Sequence, residues 1–498
     1  MSLPPTPLSG TFSTVLDVFD AVLSVAPSHD AFVLPSVDGP TQRLSFIDWA
    51  TRSDALAGWL QEHGVKKGDV VGIQLPSGLD YAIAYQAIVR TGAIATGINP
   101  RLGSAEINHI HKRCEPVYVF DGDLPQCNDG DPMRRRVAID ANDPVAIVWT
   151  GGTTGYPKGA WFDHACLEAM SHGAAPLSAI GDRRLSPLPF AHVGAMTRVW
   201  DELMHLITTV IAPFPWTPAG ALSAIGSEKV TVCQGVPTQY RMMFDHQDFT
   251  STDTSHLRIA GIGAARIPTE LVIEMREKLA CPVVVRYAST EACLATGTRL
   301  DDDIKTICTT VGRPNGTVEM RIVAKDGSLC ELNQVGTVQL RSRAIMRGYW
   351  KEPELTAQVI TPDGWLVTGD LGGVGADGNL RLAGRTTEMY IRGGYNVYPI
   401  EIENALGAHP DITGAAVVGA SVQDRLGEIG ILFAVARADA TLNLTDIRSF
   451  TKQTLADYKA PDALVVVKEL PLTSLGKVDK KQLQMAAEQE AAKWVRQK

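Results

Sequence analysis

Thr150-Gly151-Gly152-Thr153-Thr154-Gly155-Tyr156-Pro157-Lys158-Gly159 follows the apolar run Val145-Ala146-Ile147-Val148-Trp149, and the reading of this junction decides the fold. Four glycines let successive backbone N–H groups turn toward one anion without Cβ clashes, three threonines add hydroxyl donors, and Lys158 adds a positive charge. A strand feeding such a loop reads as a cradle for the phosphates of ATP. It is not the G-x-x-x-x-G-K-S/T loop, which needs glycine directly before the lysine, whereas Pro157 and Gly159 flank Lys158 here. Taken alone, the stretch reads equally well as a flexible surface loop.

Toward the N-terminus, helical and strand patterns alternate from Leu44 to Phe120. Trp49, Leu56 and Leu60 mark one helix face, Val70 to Leu75 reads as a buried strand, and Asp80 to Thr91 as a helix. Ala93 to Ile98 is strand-like, Ser104 to Cys114 helical, and Val117 to Phe120 a strand. This alternation predicts an α/β layer fold. The polar connector Asp121 to Asp143, with its basic run Arg134-Arg135-Arg136, reads as a solvated loop.

Toward the C-terminus, several stretches carry chemistry. In Ser186-Pro187-Leu188-Pro189-Phe190-Ala191-His192-Val193-Gly194 two prolines fix the backbone ahead of His192, Met196 and Trp200; an isolated histidine of this kind reads first as structural. Val230 to Pro237 is a strand entering a turn. Ile259-Ala260-Gly261-Ile262-Gly263-Ala264-Ala265 is rich in small residues, which lets backbone approach a flat ligand. Val283 to Glu291 is an apolar strand that ends in Tyr287, Ser289, Thr290 and Glu291: a ring for adenine, hydroxyls for phosphate and a hard oxygen ligand for Mg²⁺. The structural alternative is a strand end whose Ser and Thr cap a helix. Asp363 to Asp370 places a carboxylate after a glycine turn, where it could accept both ribose hydroxyls.

Gly384-Arg385-Thr386-Thr387-Glu388 and Tyr390-Ile391-Arg392-Gly393-Gly394-Tyr395-Asn396-Val397-Tyr398-Pro399 mark the expected domain boundary. Beyond it, strands are expected at Ala415 to Gly419 and Ile431 to Val435, a lysine on a glycine turn at Lys477, and a terminal helix from Lys480. The eight cysteines form no C-x-x-C pair, which argues against a zinc site or disulfide framework. A chain of 498 residues has room for roughly three domain-sized units. With 46 basic and 55 acidic side chains the net charge is −9, which does not suit nucleic acid or an anionic membrane. The start, Met1-Ser2-Leu3-Pro4-Pro5-Thr6-Pro7, lacks the features of a signal peptide, and no apolar run approaches membrane-spanning length, so a cytoplasmic protein is expected. Oligomeric state has no signature in the sequence.

Taken together and in this order, the stretches resemble the adenylate-forming superfamily of acyl-CoA synthetases, peptide-synthetase adenylation domains and luciferases, over essentially the whole chain. The resemblance implies a large N-terminal domain of several subdomains, residues 1–384, and a small mobile α+β C-terminal domain, residues 385–498, with the active site between them. It further implies two half-reactions. A carboxylate attacks the α-phosphate of Mg·ATP to give acyl-AMP and pyrophosphate, and a thiol then attacks the mixed anhydride.

By the same resemblance Thr150, Gly151, Gly152, Thr153, Thr154, Gly155 and Lys158 would hold the β- and γ-phosphates, Thr290 the α-phosphate and Glu291 the Mg²⁺. Tyr287 would stack on adenine beside Gly263, Ala264 and Ala265, with Ala288 and Ser289 alongside, and Asp370 and Arg385 would hold the ribose. Lys477 would bridge the substrate carboxylate and α-phosphate during adenylation only. Gly393 and Gly394 would line the thiol's path. His192, now at the mouth of the acyl pocket, would join Met196, Trp200, Val236, Gly261 and Ala288 as its lining. Three departures stand out: Gly152 lacks the hydroxyl usual there, Ala288 replaces a glycine and adds a methyl to the acyl path, and Thr387 replaces the usual Asp or Lys of the hinge.

The loop Ile391 to Pro399 looks closer to the CoA-ligase version than to peptide-synthetase versions, so the expected acceptor is CoA. The alternatives are transfer to a separate carrier protein and a nucleotide-binding protein without catalysis. The pocket has no obvious charged partner for an α-amine, which favours a fatty, aryl or polycyclic acid over an amino acid.

Overall fold

The computed structural model describes residues 8, 10–36, 39–127, 136–150, 157–213, 215–263, 267–393, 395–424, 426–473 and 477–496. They form two compact units, Met1–Met320 with Leu340–Leu366, and Arg321–Gln339 with Val367–Lys498. The boundary expected at Gly384 and Arg385 falls within the second unit.

The first unit contains a six-stranded sheet in the order Gly348–Tyr349, Lys158–Asp163, Pro144–Thr150, Ile94–Gly97, Val70–Ile73, Tyr118–Phe120. Its last four strands run parallel. Continuous apolar strands of this kind need cover on both faces. Val145 to Trp149 are accordingly all buried, and Trp149 Nε1 donates to Thr96 Oγ1 at 2.7 Å on the neighbouring strand. The helices Phe46–Glu62, Leu79–Arg90 and Ser104–Cys114 lie where the periodicity places them. Ser45 caps the first, accepting from the Asp48 N–H at 3.2 Å.

A nine-stranded sheet has at its centre the parallel strands Thr208–Ile211, Arg183–Ser186, Val232–Gly235, Ile259–Gly263 and Val283–Ser289. Cys293–Gly297 then returns antiparallel to Val283–Ser289. Their shared orientation matters for function, because loops that leave the carboxyl ends of parallel strands gather on one edge of the sheet. His192, Val236, Gly263 and the Tyr287 to Glu291 segment all lie at or just beyond such ends.

The second unit contains three-stranded and four-stranded sheets and a hairpin. In the three-stranded sheet of Ile412–Ser421, Glu428–Ala436 and Ala463–Val467, the two-residue period of a strand assigns alternate side chains to opposite faces. Ala416, Val418, Ile431 and Phe433 pack against Leu483, Ala487 and Ala491 of the terminal helix Lys480–Arg496, while Val417, Leu432 and Ala434 pack with Ile402, Leu406 and Ile447. The four-stranded sheet, Glu319–Val323, Gly336–Arg341, Leu366–Val374 and Leu380–Arg385, belongs chiefly to this unit. Thr368, Gly369 and Asp370, expected just after a turn, lie inside its strand Leu366–Val374; the turn itself is at Gly364, whose φ is +82°. No helix among the described residues is long and apolar enough to cross a membrane.

Candidate active site

In the first unit, Thr150 ends one strand and Lys158 begins the next, and the two face each other in antiparallel register. They therefore frame the glycine-rich loop, of which Gly151, Gly152, Thr153, Thr154 and Gly155 lie outside the described residues. The strand Gly348–Tyr349 adds to the same sheet edge, with Tyr349 opposite Ala160. Arg347 fixes this addition, because its guanidinium grips Asp163 with Nε–Oδ2 at 2.6 Å and Nη2–Oδ1 at 3.1 Å.

Tyr349 joins Lys158, expected to bind phosphate, to the carboxylate expected for the metal. Its hydroxyl donates to Glu291 Oε1 at 3.0 Å, and the Lys158 ammonium lies 5.2 Å from its ring centroid. Burial, and then the negative charge of Glu291, push the Tyr349 phenol far above its ordinary value, so it stays a donor. Met346 N–H donates to the Glu291 carbonyl at 2.8 Å, holding the backbone as well. Sequence reasoning missed Tyr349. The signal, Gly348-Tyr349-Trp350, stands 58 positions from Glu291 and carries no chemistry until the fold brings it back.

Tyr287 is buried at the end of its strand, and Arg286 pairs with Gly263 on the next. A Cβ at Gly263 would collide with the Arg286 carbonyl, which explains the glycine. Ala264 and Ala265 lie outside the described residues, and Ala288 is exposed. The Ser289 hydroxyl accepts from the Ala292 N–H at 3.1 Å within a turn that leads into the strand Cys293–Gly297; the helix of the structural alternative is not there. Thr290 and Glu291 are half-buried in that turn.

The residues expected to line the acyl pocket come from several elements. His192 precedes the short helix Val193–Met196, and Met196 is buried. Trp200 is buried on Val199–Met204, a helix that packs against Val15–Val25 and His164–Ser171. Val236 precedes the helix Pro237–Phe244. Gly261 lies mid-strand; a Cβ there would touch the Leu177 side chain at 3.2 Å, and its carbonyl accepts from Tyr240 Oη at 2.9 Å.

In the second unit Asp370 and Arg385 face each other across antiparallel strands, with Arg385 Nε 2.9 Å from Asp370 Oδ1. Asp370 is 4% exposed. Thr368 Oγ1 accepts from its N–H at 3.1 Å. Lys477 is held by two backbone contacts, its carbonyl accepting from Thr473 N–H at 2.7 Å and its N–H donating to Thr473 Oγ1 at 3.3 Å. Burial lowers the pKa of the Lys477 ammonium, the Arg385 guanidinium lowers it further, and Asp370 opposes both. The three expected groups thus share one electrostatic environment. Gly393 turns the hairpin Tyr390–Arg392 to Tyr395–Val397 with φ +57°, a conformation that favours glycine; Gly394 lies outside the described residues.

The AMP-binding enzyme model matches residues 19–350, and the AMP-binding enzyme C-terminal domain model residues 401–477. The chain belongs to the AMP-binding enzyme family. A methyl-dioxo-octahydroindenyl propanoyl:CoA ligase of Mycobacterium tuberculosis is 33% identical, covering 94% of this chain and 98% of its own. An indoleacetate–CoA ligase of Aromatoleum aromaticum is 30% identical over 89% and 92% of the two chains. The ATP-bound structure of MatB from Rhodopseudomonas palustris superimposes with a TM-score of 0.86 over 96% of this chain and all of its own; at 24% identity it speaks for the fold alone. Within the AMP-binding enzymes the chain falls in the acyl-CoA synthetase branch and is an AMP-forming acid–thiol ligase that uses ATP and CoA.

Proposed function

We propose that the protein activates a ring-bearing carboxylic acid, aryl or alicyclic, as acyl-AMP and passes the acyl group to CoA. What supports the ring is the company the chain keeps among AMP-binding enzymes: ligases named for an octahydroindenyl propanoate, for indoleacetate and, at 29% identity, a feruloyl-CoA synthase. The observation that carries the nucleotide chemistry is Tyr349, with the Lys158 cation over its ring and the Glu291 carboxylate on its hydroxyl.

A carboxylate and a polyphosphate repel each other, so the first half-reaction depends on fixed positive charge and oriented donors. Lys158 and the hydroxyls around Thr150 would hold the β- and γ-phosphates. Glu291 would hold Mg²⁺; a single protein carboxylate suits this ion, which takes its remaining ligands from phosphates and water. Bound there, Mg²⁺ supplies neutralising charge to the phosphates. Among the described residues no group of three or more His, Cys, Asp or Glu forms a separate metal cage. Asp370 and Arg385 would take the ribose hydroxyls.

Lys477 would donate to the incoming carboxylate and the α-phosphate together. The carboxylate oxygen bonds to the α-phosphorus, the α–β phosphoanhydride bond breaks, and pyrophosphate leaves. In the second half-reaction the CoA sulfur, having lost its proton, bonds to the acyl carbon and AMP leaves with the electron pair. The Gly393 hairpin would serve this step.

Mass-spectrometric product analysis tests the proposal, with Mg·ATP, CoA and a panel of fatty, aromatic and alicyclic acids. Thioester formed chiefly from ring-bearing acids is the expected result. Preference for straight-chain acids contradicts the substrate class, acyl-AMP without thioester redirects the acceptor to a carrier protein, and absence of pyrophosphate release from every acid contradicts catalysis.

A further inference from the structure

A cavity of about 40 Å³ lies inside the first unit, walled by Trp49, Phe190 and Met196 and carrying the polar side chains of Tyr81, Thr209 and Glu202. Its wall is shared with the acyl-side residues. Met196 ends the short helix that begins immediately after His192, four residues or about 6 Å along the axis. Phe190 stands two positions before His192 and meets the Tyr81 ring edge to face at 5.6 Å.

The space is small because three chains of atoms converge on it. A Cβ at Gly97 would lie 2.5 Å from Met196 Sδ, 2.6 Å from Tyr81 Oη and 2.8 Å from the Ala191 Cα. The absence of a side chain at Gly97 is what lets the sulfur and the phenol approach there.

One hydroxyl in this cavity has no partner. Tyr81 and Thr209 are each 3% exposed; the Thr209 hydroxyl is paired with the Glu202 carboxyl, whereas Tyr81 Oη makes no hydrogen bond. Buried hydroxyls are nearly always satisfied, so the phenol points to a bound group. Tyr85, one helical turn on, shows the contrast, since its hydroxyl donates to the Met196 carbonyl at 2.8 Å. Glu202 adds a carboxyl, 3.4 Å from the Arg184 guanidinium. One water-sized group needs about 10–15 Å³ of such space, so roughly three fit and a whole ring does not.

We propose that this cavity is the far end of the acyl site and receives an oxygen-bearing tip of the substrate acid, remote from the reacting carboxylate, as a hydrogen-bond acceptor for Tyr81. The inference rests on the acid ligase reading above and refines its substrate: the ring carries a carbonyl or hydroxyl at the far end. A carbonyl accepts from the Tyr81 phenol. A hydroxyl accepts from Tyr81 and donates to the Glu202 carboxyl, which Thr209 holds in place.

The test uses three matched ring acids that differ only at the far position, bearing hydrogen, hydroxyl or carbonyl. Binding of each acid is measured by calorimetry, and thioester formation as kcat/KM, for the native protein and for Tyr81→Phe and Thr209→Val, with melting temperatures to establish that the variants fold. An oxygenated acid is expected to be preferred about tenfold or more over its deoxygenated partner; the ratio is expected to fall toward one in Tyr81→Phe and, for the hydroxyl acid, to fall in Thr209→Val, which loses the bond that holds Glu202. The hydroxyl and carbonyl arms decide which group is bound. Equal binding of oxygenated and deoxygenated acids, or a preference that survives in Tyr81→Phe, overturns the inference and leaves the phenol to ordered water. Calorimetry reads binding without turnover, so absence of thioester contradicts the ligase reading while the binding ratios still decide this one.

Discussion

Tyr349 links two residues that the sequence names for chemistry, Lys158 and Glu291, yet is itself silent in the sequence. A carboxylate at the end of a strand and a lysine in a glycine loop are legible because their residue types already suggest metal and phosphate. A tyrosine becomes informative only through the partner it meets. Removing its hydroxyl in Tyr349→Phe deletes a hydrogen bond to a charged group, worth about 1.5–3 kcal/mol. Adenylation should fall roughly 10- to 100-fold, and the Mg²⁺ concentration for half-maximal pyrophosphate exchange should rise; an unchanged Mg²⁺ dependence removes Tyr349 from the site. Lys477 makes a second prediction. Burial and then Arg385 lower its pKa, so rising pH removes its charge earlier than for a free lysine. Pyrophosphate exchange should therefore lose rate on an alkaline limb below the ordinary value of 10.5, and thioester formation from supplied acyl-AMP should lack that limb.

At the scale of the element, parallel strands explain why motifs scattered through the sequence act together. Hydrophobic runs made the strands legible, and their order in the sheets was not, because strand pairing depends on contacts between segments far apart in the chain. The hairpin Tyr390–Arg392 to Tyr395–Val397 shows the same limit. Its sequence reads as a domain boundary, whereas its anchor is Asp462, whose carboxylate takes Arg392 Nε and Nη2 at 2.9 and 2.8 Å, 70 positions away. Asp462 is 5% exposed, so Asp462→Ala leaves an uncompensated cation and should cost about 3–5 kcal/mol in chemical denaturation while slowing thioester formation. The helix Val199–Met204 carries a further buried network. Burial opposes the Asp201 charge, but Arg198 and Arg184 outweigh it and hold this carboxyl far below its usual range. Burial also opposes the charge on His205, yet Asp201, 3.1 Å away, raises its pKa above 6.5. The His205 contribution is present in full below 6.5 and is lost as pH rises through the raised value, whereas the Asp201 contribution is lost only as pH falls into the acid range. The native protein should thus melt at lower temperature as pH rises from about 6 to 8, and His205→Gln should flatten that slope; an unaltered slope assigns the pH dependence to other groups.

For the molecule as a whole, the α/β class and the family were legible because the phosphate loop, the Tyr287 to Glu291 strand end, Asp370 and Lys477 appear in an order that few unrelated chains share. The acid was not legible, since its selection rests on the shape and hydrogen bonding of a pocket assembled from many segments, and one methylene alters preference by only about 1–3 kcal/mol. The two compact units hold different parts of the proposed site, Lys158 and Glu291 in one, Asp370, Arg385 and Lys477 in the other. Lys477 is expected to serve only the first half-reaction. The most direct test is Lys477→Ala assayed separately for pyrophosphate exchange and for thioester formation from supplied acyl-AMP and CoA. Loss of exchange by several orders of magnitude with thioester formation near the native rate is the predicted result, and equal loss of both steps contradicts the claim.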